Sequence, residues 1–264
     1  MDYRDLLYEK DGHVLSVTLN RPERMNALNR NLLGVELPHA FESAARDPEV
    51  RVVILTGAGD KAFCSGADLK DTAASGRIGD SDKGPYFRGS PTDFLHAGFD
   101  KPVIVAVNGM CLAAGLHLIA DADLVIAAEH ATFFDTHVKV GQVFALEPIG
   151  LLRRMPFGEV MRMMLLSGAE RMNAAKALEL GLVSEIVPGD RLLERARELG
   201  RTIAEFSPAT VAASKRAIWQ ALDHGLYDAL ERGWREIYQH WSHPDFLEGP
   251  RAFAEKRKPR WQVG

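Results

Sequence analysis

The sequence has few cysteines, little excess charge and no long apolar run, and each shortage excludes a class of protein. Cys64 and Cys111 are the two cysteines among 264 residues, with no metal-ligand spacing, which is typical of a reducing compartment. The formal net charge of −4 gives no basis for binding nucleic acid or an anionic membrane surface. No run of about 18 apolar residues is present, and the polar, acidic start of the chain does not resemble a secretory signal. We expect a cytoplasmic protein with no membrane partner, no nucleic-acid partner and no bound metal.

Alternating strands and helices fill the first part of the chain. The segments "HVLSVTLN", "VRVVILTG" and "KPVIVAVNG" predict strands, and "DLVIAAEHATFF" predicts two shorter strands around Glu129 and His130. Helical spacing in "NRNLLGVELPHAFESAARD" predicts a helix that Pro38 kinks or shifts. The Gly- and Ser-rich stretch "DTAASGRIGDSDKGPYFRGSPTD" predicts a long mobile loop. This alternation predicts an α/β fold with a mainly parallel sheet covered by helices.

Helices dominate the second part of the chain, from about Pro148. They are predicted in "GLLRRM", "GEVMRMMLLSG" and "NAAKALELGL", with one last short strand in "VSEIVP". Beyond Asp190 the pattern predicts three long amphipathic helical segments. Such a tail cannot bury its apolar face alone, so it packs on the core or on neighbouring subunits. We predict an α/β core over residues 1–200 and a helical oligomerisation region over residues 201–264.

Two glycine-rich corners, where a strand runs into a helix, are the candidates for chemistry. In "AFCSGADLK" Gly66 allows the chain to turn, and in "NGMCLAAGLH" the small residues after Gly109 permit close backbone approach. At each corner amide groups without an intrahelical partner point outward. Two such N–H groups that converge on one carbonyl oxygen form an oxyanion hole. Either corner alone is better explained as a tight turn, so the interpretation depends on both occurring together.

Both corners, in this order, resemble those of the crotonase (enoyl-CoA hydratase/isomerase) superfamily. The matching motifs are "NRPERMNALN", "VVILTGAGDKAFCSGADL", "KPVIVAVNG", "AAKALELGLVSEIV" and "EGPRAFAEKRKP", and they extend over about residues 5–260. The resemblance implies a crotonase-like spiral of ββα units, with a C-terminal helical trimerisation region and trimers often paired into hexamers. It also implies an acyl-CoA thioester as the substrate, with coenzyme A part of that substrate and no separate cofactor.

The resemblance further implies which residues bind the acyl-CoA. The thioester oxygen is expected at the backbone amides of Ala67 and Ala114. The other implied binding residues are Arg24, Ala27, Ala62, Asp68, Leu69 and Lys70. The last three would line the thioester and pantetheine end, and the adenine would lie near Ala62 and the "ERMNAL" loop, where Arg24 meets a phosphate. The basic run of residues 256–258 either reaches phosphates too or is a solvated helix end.

Two histidines occupy the positions at which hydratases of this family carry their catalytic glutamates. Aligning "NGMCLAAGLHLIAD" places His117 at the first position, and aligning "ATFFDTHVKVG" places His137 at the second, with the family separation of 20 residues. An imidazole accepts or donates a proton near neutral pH, so the pair is suited to act as acid and base. The alternative is that both rings are packing residues.

Several carboxylates stand near these histidines in the sequence. Glu147, just before Pro148 at a predicted helix start, either replaces a missing catalytic carboxylate or caps the helix. Asp135 precedes His137 by two positions and is a candidate for orienting its ring. Asp121 and Asp123 are expected to orient the following strand rather than to act on substrate.

Three functions follow from these observations. The first is an acyl-CoA lyase of the hydratase/isomerase type, in fatty acid metabolism, that stabilises a thioester enolate or oxyanion and uses histidine as acid and base. The second is a hydrolase that cleaves a carbon–carbon bond of a β-dicarbonyl substrate, since histidines occur in the pockets of a minority of crotonase relatives with that activity. The third is a non-catalytic acyl-CoA-binding protein. We expect an enzyme that assembles as a homotrimer or hexamer.

Overall fold

The computed structural model describes residues 1–75 and 99–262, and these form two β-sheets surrounded by helices. The strands, β1 to β10, are Leu6–Asp11, Val14–Leu19, Val52–Gly57, Ala62–Cys64, Val103–Val107, Met110–Leu112, Leu124–Ala128, Thr132–Phe134, Met172–Asn173 and Glu185–Val187. The helices, α1 to α10, are Leu37–Arg46, Leu69–Ser75, Ala114–Ala120, Leu146–Leu151, Phe157–Leu166, Ala174–Glu179, Leu192–Ala204, Pro208–Ala221, Leu226–His240 and Asp245–Ala254. The long loop expected over residues 71–93 was wrong for residues 71–75, which belong to α2, and its remaining residues, 76–93, lie outside the described residues.

The strand order confirms the expected spiral of ββα units. The larger sheet has the order β1-β2-β3-β5-β7-β10, in which β1 is antiparallel to β2 and the other neighbours are parallel. The smaller sheet has the order β4-β6-β8-β9, with β9 antiparallel to β8. The chain therefore passes from the large sheet to the small sheet and then into a helix, as β3–β4–α2 and again as β5–β6–α3. Both glycine-rich corners lie where a small-sheet strand ends.

The strands of the larger sheet read as continuous apolar runs because both of their faces are covered. Every residue of β2, β3 and β5 is buried. One face includes Val53 and packs into the main core, whereas Val52 and Ile54 on the other face pack against α7. A side chain at Gly200 would come within 3.1 Å of Val14, so glycine there allows α7 to lie directly on the sheet. The domain boundary proposed at residue 200 falls within α7 and stays a prediction.

Three local features can be compared with the predictions from the sequence. Strand β1 was not predicted, because it is an edge strand whose exposed positions are mostly polar. The expected shift of the helix at Pro38 is confirmed, since α1 begins at Leu37 after a π-helical turn over Leu32–Glu36. The expectation of three helical segments beyond Asp190 was wrong, since α7, α8, α9 and α10 lie there. A short break at Ser207, which caps α8, separates that helix from α7.

Helices α8 and α9 pack on each other and leave an apolar surface exposed. Neither of these two helices has a buried residue, although α9 is strongly amphipathic in sequence. The exposed apolar side chains of α9 are Leu226, Tyr227, Leu230, Trp234, Ile237 and Tyr238. In the described part of the chain, no helix is both long and apolar enough to cross a bilayer. Within residues 1–75 and 99–262, the tail therefore has an apolar face that no other described element covers fully.

Candidate active site

The first corner exposes the Ala67 amide because its neighbours are held by Leu28. The N–H of Leu28 donates to the Gly66 carbonyl at 2.8 Å, and the N–H of Asp68 donates to the Leu28 carbonyl at 2.9 Å. This is a parallel bridge between Leu28 and Ala67. In such a bridge, the N–H of the residue between the two hydrogen bonds points away from the partner strand. The Ala67 N–H is therefore directed away from Leu28.

At the second corner, the strained backbone of Ala113 sets the direction of the Ala114 amide. Ala113 precedes α3 with φ 50° and ψ −123°, a backbone region that favours glycine. Ala114 follows as the first residue of α3, where an N–H has no acceptor within the helix. A Cβ at Gly66 would lie 2.6 Å from the Ala113 Cβ and 3.5 Å from the Ala114 nitrogen. The two corners are thus in direct contact, as an oxyanion hole built from Ala67 and Ala114 requires.

Helix α3 packs closely on strands β4 and β6 next to the two corners, and both cysteines lie in this contact. A Cβ at Gly115 would come within 2.9 Å of the Cys64 carbonyl oxygen and 3.2 Å of the Cys111 sulfur, so α3 lies almost against β4 and β6. Both thiols are fully buried, and burial raises the pKa of Cys64 to about 12. A thiol in this state is not a nucleophile at neutral pH. The candidates for acid–base chemistry at the site are therefore its carboxylates and histidines.

The side chain of His137 is held by a hydrogen bond and by ring stacking. Its Nδ1 lies 2.6 Å from Oδ1 of Asp135, and its backbone N–H donates to Oδ2 of the same carboxylate at 2.8 Å. Asp135 is completely buried, and the imidazole stacks on Phe144 with ring centroids 5.4 Å apart. The prediction that Asp135 orients the ring is confirmed, although it does so through a tight turn rather than along an extended segment. The carboxylate fixes a proton on Nδ1 and directs Nε2 to the opposite side.

Glu147 lies on that opposite side. Its Oε1 is 3.8 Å from Nε2 of His137, and both side chains are largely buried. The hydrogen bond that His137 donates to Asp135 raises the pKa of the imidazole against the opposing effect of burial, and the charge of Glu147 raises it further. Burial raises the pKa of Glu147. The imidazole thus stands between two carboxylates, and Glu147 both occupies the first turn of α4, as a capping residue would, and faces His137.

His117 lies in α3, three residues after Ala114. Its Nε2 is 3.6 Å from Oδ2 of Asp121 one turn further along the helix, and both side chains are mostly buried. Asp123, immediately before β7, accepts the N–H of Val103 in the neighbouring strand β5 at 2.7 Å, and this contact fits the role expected for it in orienting β7. Asp121 pairs with the histidine as well, which the sequence analysis did not anticipate. In the described part of the chain, no group of three or more His, Cys, Asp and Glu side chains is arranged to hold a metal ion.

Three of the residues implied for acyl-CoA binding lie at the surface beside the first corner. Arg24 is exposed in a 3-10 turn over Pro22–Arg24. Leu69 and Lys70 are exposed in the first turn of α2, where the Lys70 N–H donates to the Asp68 carboxylate at 3.1 Å. Exposed side chains of this kind are accessible to a ligand that approaches the corner from solvent.

The other three implied binding residues are built into the fold. Ala62 is buried in β4, where its carbonyl accepts side-chain hydrogen bonds from Asn26 and Asn108. Ala27 and Asp68 are joined by Arg21, which donates to the Ala27 carbonyl at 2.6 Å and to the Asp68 carboxylate at 3.2 Å. Arg21 was not among the predicted binding residues, so these contacts were missed from the sequence. The sequence did offer one signal, because Arg21 is a cation at the start of "NRPERMNALN", the same motif that contains Ala27.

The comparison with protein families agrees with this geometry. The model of the enoyl-CoA hydratase/isomerase family matches residues 9–263. Carnitinyl-CoA dehydratase from Salmonella arizonae is 37% identical over 257 residues, which cover 96% of each chain, and the enzyme of that name from Citrobacter koseri is 36% identical over 97% of this chain and 98% of its own.

Solved structures of known proteins agree as well. An enoyl-CoA hydratase/isomerase from Mycobacterium paratuberculosis has a TM-score of 0.89 and 38% identity, with each chain covered completely. The enoyl-CoA hydratase from Bacillus anthracis has a TM-score of 0.87 and 30% identity, with 99% of this chain and 100% of that one covered. The chain therefore belongs to the enoyl-CoA hydratase/isomerase family of the crotonase superfamily, a family of enzymes that act on acyl-CoA thioesters.

Proposed function

We propose that this enzyme is an acyl-CoA lyase that removes water from a 3-hydroxyacyl-CoA, or adds it to the corresponding 2-enoyl-CoA. The observation that carries the proposal is the imidazole of His137 held between Asp135 and Glu147, at a position where family hydratases have a catalytic glutamate. The relatives named carnitinyl-CoA dehydratase support a reaction in which water is lost. In this proposal Ala67 and Ala114 hold the thioester oxygen.

The proton transfers follow from the charges around His137. In the dehydration direction, the Glu147 carboxylate accepts the proton on the carbon next to the thioester, and the resulting negative charge moves onto the thioester oxygen. Two backbone N–H groups stabilise that charge as it develops. The His137 imidazolium then donates its Nε2 proton to the hydroxyl that leaves as water. Hydration is the reverse. His117 stands one helical turn from the Ala114 amide, and we propose that it helps to hold the water or hydroxyl.

The pKa directions of the two groups suit these roles. A raised pKa keeps His137 protonated closer to neutral pH, which is the form that donates. A raised pKa makes the Glu147 carboxylate a stronger base once it is ionised. Asp135 only accepts hydrogen bonds when ionised, so it stabilises the imidazolium and fixes which nitrogen faces the substrate. The set therefore divides into one acid, one base and one group that orients the acid.

Glu147→Gln should lower turnover by roughly 100-fold or more, because an amide keeps the size of the side chain but cannot accept the proton. The measurement is kcat on 2-enoyl-CoA and 3-hydroxyacyl-CoA substrates of several chain lengths, with products identified by mass spectrometry. Binding of a non-reactive acyl-CoA, measured by calorimetry, should change little, since the amides of Ala67 and Ala114 remain. Wild-type kcat in the variant would contradict the assignment of Glu147 as the base.

Carbon–carbon cleavage of a β-dicarbonyl substrate is the second candidate, and the Asp135–His137 contact favours it specifically. An imidazole whose Nδ1 is held by a buried carboxylate is arranged to deprotonate a water at Nε2, which would then attack a ketone carbonyl. The same screen should therefore include β-keto and cyclic dicarbonyl CoA esters. Cleavage of those substrates without any hydration would replace the lyase proposal, and acyl-CoA binding without turnover on any of them would indicate a binding protein.

We propose that the chain assembles as a trimer or hexamer through the helical tail. Light scattering should give a mass of about three or six times the 29.1 kDa of one chain. Leu230→Glu places a charge in the exposed apolar face of α9 and should shift the population to monomers. Gln239→Glu, on the opposite side of the same helix, is the matched control and should leave the mass unchanged. A wild-type monomer at micromolar concentration would contradict the assembly.

A further inference from the structure

The Ala67 amide is positioned by a neighbouring segment, residues 25–28, which we call the strap. We infer that Arg21 is a positioning residue for the oxyanion hole, because its guanidinium fixes the strap that sets the direction of the Ala67 N–H. The inference rests on the proposed function, since it requires that this amide receives the thioester oxygen. Arg21 acts through Ala27 and Asp68 and is not itself a catalytic residue.

The guanidinium of Arg21 joins three separate segments. It donates through Nη1 to the Ala27 carbonyl at 2.6 Å and through Nη2 to Oδ2 of Asp68 at 3.2 Å. Its Nε lies 3.7 Å from Oδ1 of Asp5, next to the start of β1. The side chain is 13% exposed, so little water competes for these contacts. One cation therefore ties the strap, the first oxyanion corner and the edge of the large sheet together.

The strap determines the orientation of the Ala67 peptide. Besides the two hydrogen bonds that Leu28 makes on either side of Ala67, the Ser65 N–H donates to the Met25 carbonyl at 3.1 Å. The strap and the corner are thus joined at two places, by the single parallel bridge at Leu28 and by the hydrogen bond between Ser65 and Met25. Moving the strap would shift or rotate the Ala67 N–H, because both neighbouring peptides are bonded to it.

The backbone of the strap is strained, so contacts from outside the strap are needed to stabilise its conformation. Met25 and Asn26 have consecutive φ values of 52° and 53°, which only a well-determined surrounding maintains in residues other than glycine. Arg21 supplies part of that surrounding through its main chain. Its N–H donates to the Asn26 side-chain oxygen at 3.0 Å, and its carbonyl accepts the Asn26 N–H at 2.9 Å. Both the backbone and the side chain of Arg21 therefore act on the strap.

The chemistry of the contacts requires arginine rather than lysine. Asp68 is mostly buried, and although burial raises its pKa, the hydrogen bond from Arg21 contributes to a pKa below the ordinary value. A planar guanidinium presents several donors in a fixed fork and reaches a carbonyl and a carboxylate at once. An ammonium group on a lysine is a single point charge and cannot keep both contacts at this geometry. The substitution Arg21→Lys therefore retains the charge and removes the bridge.

The test compares Arg21→Lys and Arg21→Gln with Arg195→Gln. Arg195 is a matched control, because it also bridges two acidic side chains, Glu185 at 2.8 Å and Glu198 at 3.0 Å, but has no contact with the strap or the corner. The readouts are kcat, KM and the absorption of a bound cinnamoyl-CoA chromophore, which moves to longer wavelength when its thioester carbonyl is polarised by hydrogen bonds. Thermal stability is measured in parallel, since all three variants lose hydrogen bonds that a guanidinium makes.

We expect Arg21→Lys to lower kcat by about 10- to 100-fold with KM nearly unchanged, since a displaced donor loses transition-state stabilisation rather than binding. The red shift of the bound chromophore should shrink in both Arg21 variants and stay at the wild-type value in Arg195→Gln. If Arg21→Gln does not fold, Arg21→Lys decides, together with Asp68→Asn, which should show a smaller loss of the same kind.

Two results separate the possible failures. A folded Arg21→Lys variant with wild-type kcat and a full red shift would overturn the positioning role of Arg21 while leaving the oxyanion hole in place. A wild-type enzyme that binds the chromophore without any red shift would overturn the oxyanion hole itself, and with it the proposed function, whatever the Arg21 variants do.

Discussion

Replacing His137 by glutamine should lower turnover by roughly 100-fold or more, because the reaction would lose its proton donor. Glutamine is similar in size and can still hydrogen-bond to Asp135, so the surrounding turn should persist. It cannot carry a transferable proton at neutral pH. Calorimetry with a non-reactive acyl-CoA should give a Kd close to that of the wild type, since the oxyanion amides are untouched. A variant with wild-type kcat would show that the ring is a packing residue.

The pH profile tests the same assignment by a different route. The profile is that of kcat for dehydration, the direction in which His137 is the acid and Glu147 the base. If the imidazolium donates the proton, this kcat falls as pH rises through the raised pKa of His137. If the Glu147 carboxylate accepts one, kcat falls as pH drops through the raised pKa of Glu147. Asp135→Asn removes the hydrogen-bonding carboxylate that raises the His137 pKa, so the alkaline limb should move to lower pH. His224→Gln, in the helical tail, is the control and should leave both limbs in place. An alkaline limb that stays fixed in Asp135→Asn would contradict the role of the imidazolium.

Much of the fold could be predicted because its central strands are covered on both faces. Runs such as "VRVVILTG" have no polar alternation, which indicates a parallel sheet between helices, and β3 is buried throughout. Strand β1 carries no such signal, because only its pairing with β2 makes it a strand. The packing of α7 on the sheet also depends on tertiary contacts, since Gly200 reads in sequence as an ordinary interruption of a helix.

Some features of the candidate site could likewise be predicted from the sequence, and others could not. The corners around Gly66 and Ala113 could be located from their small residues, and the positions of the two histidines from the resemblance to the motifs of the family. The contact of Glu147 with His137 depends on how the intervening loop folds back, with Phe144 packed on the ring, which no local pattern specifies. The bridge made by Arg21 likewise joins residues that are far apart in the sequence. Local chemistry can be predicted from sequence, whereas the pairing of distant side chains requires the fold.

Replacing Gly66 by alanine should have the largest effect of any single change at the oxyanion hole. Gly66 has φ +85°, and a Cβ there would lie 2.6 Å from the Ala113 Cβ, so the two corners must move apart. The Ala114 nitrogen would lie 3.5 Å from the added Cβ, so the two amides that we propose as oxyanion donors would move apart. Losing one oxyanion donor costs about 100- to 1,000-fold in kcat, and here both donors are displaced. The measurement is kcat on the best substrate found in the acyl-CoA screen.

Gly12→Ala is the control for Gly66→Ala. It places alanine at a positive φ as well, but far from the oxyanion hole. Gly12 also has a positive φ, +57°, but a Cβ there would meet nothing within 4 Å. Backbone strain should cost both variants about 1–2 kcal/mol of stability. Gly66→Ala should lose roughly 1–3 kcal/mol more, because its Cβ also overpacks against Ala113. The expected result is a kcat near the wild-type value for Gly12→Ala and a loss of at least about 100-fold for Gly66→Ala. Equal activity in the two variants, at equal folded fraction by circular dichroism, would mean that the contact between the corners does not set the positions of the Ala67 and Ala114 amides.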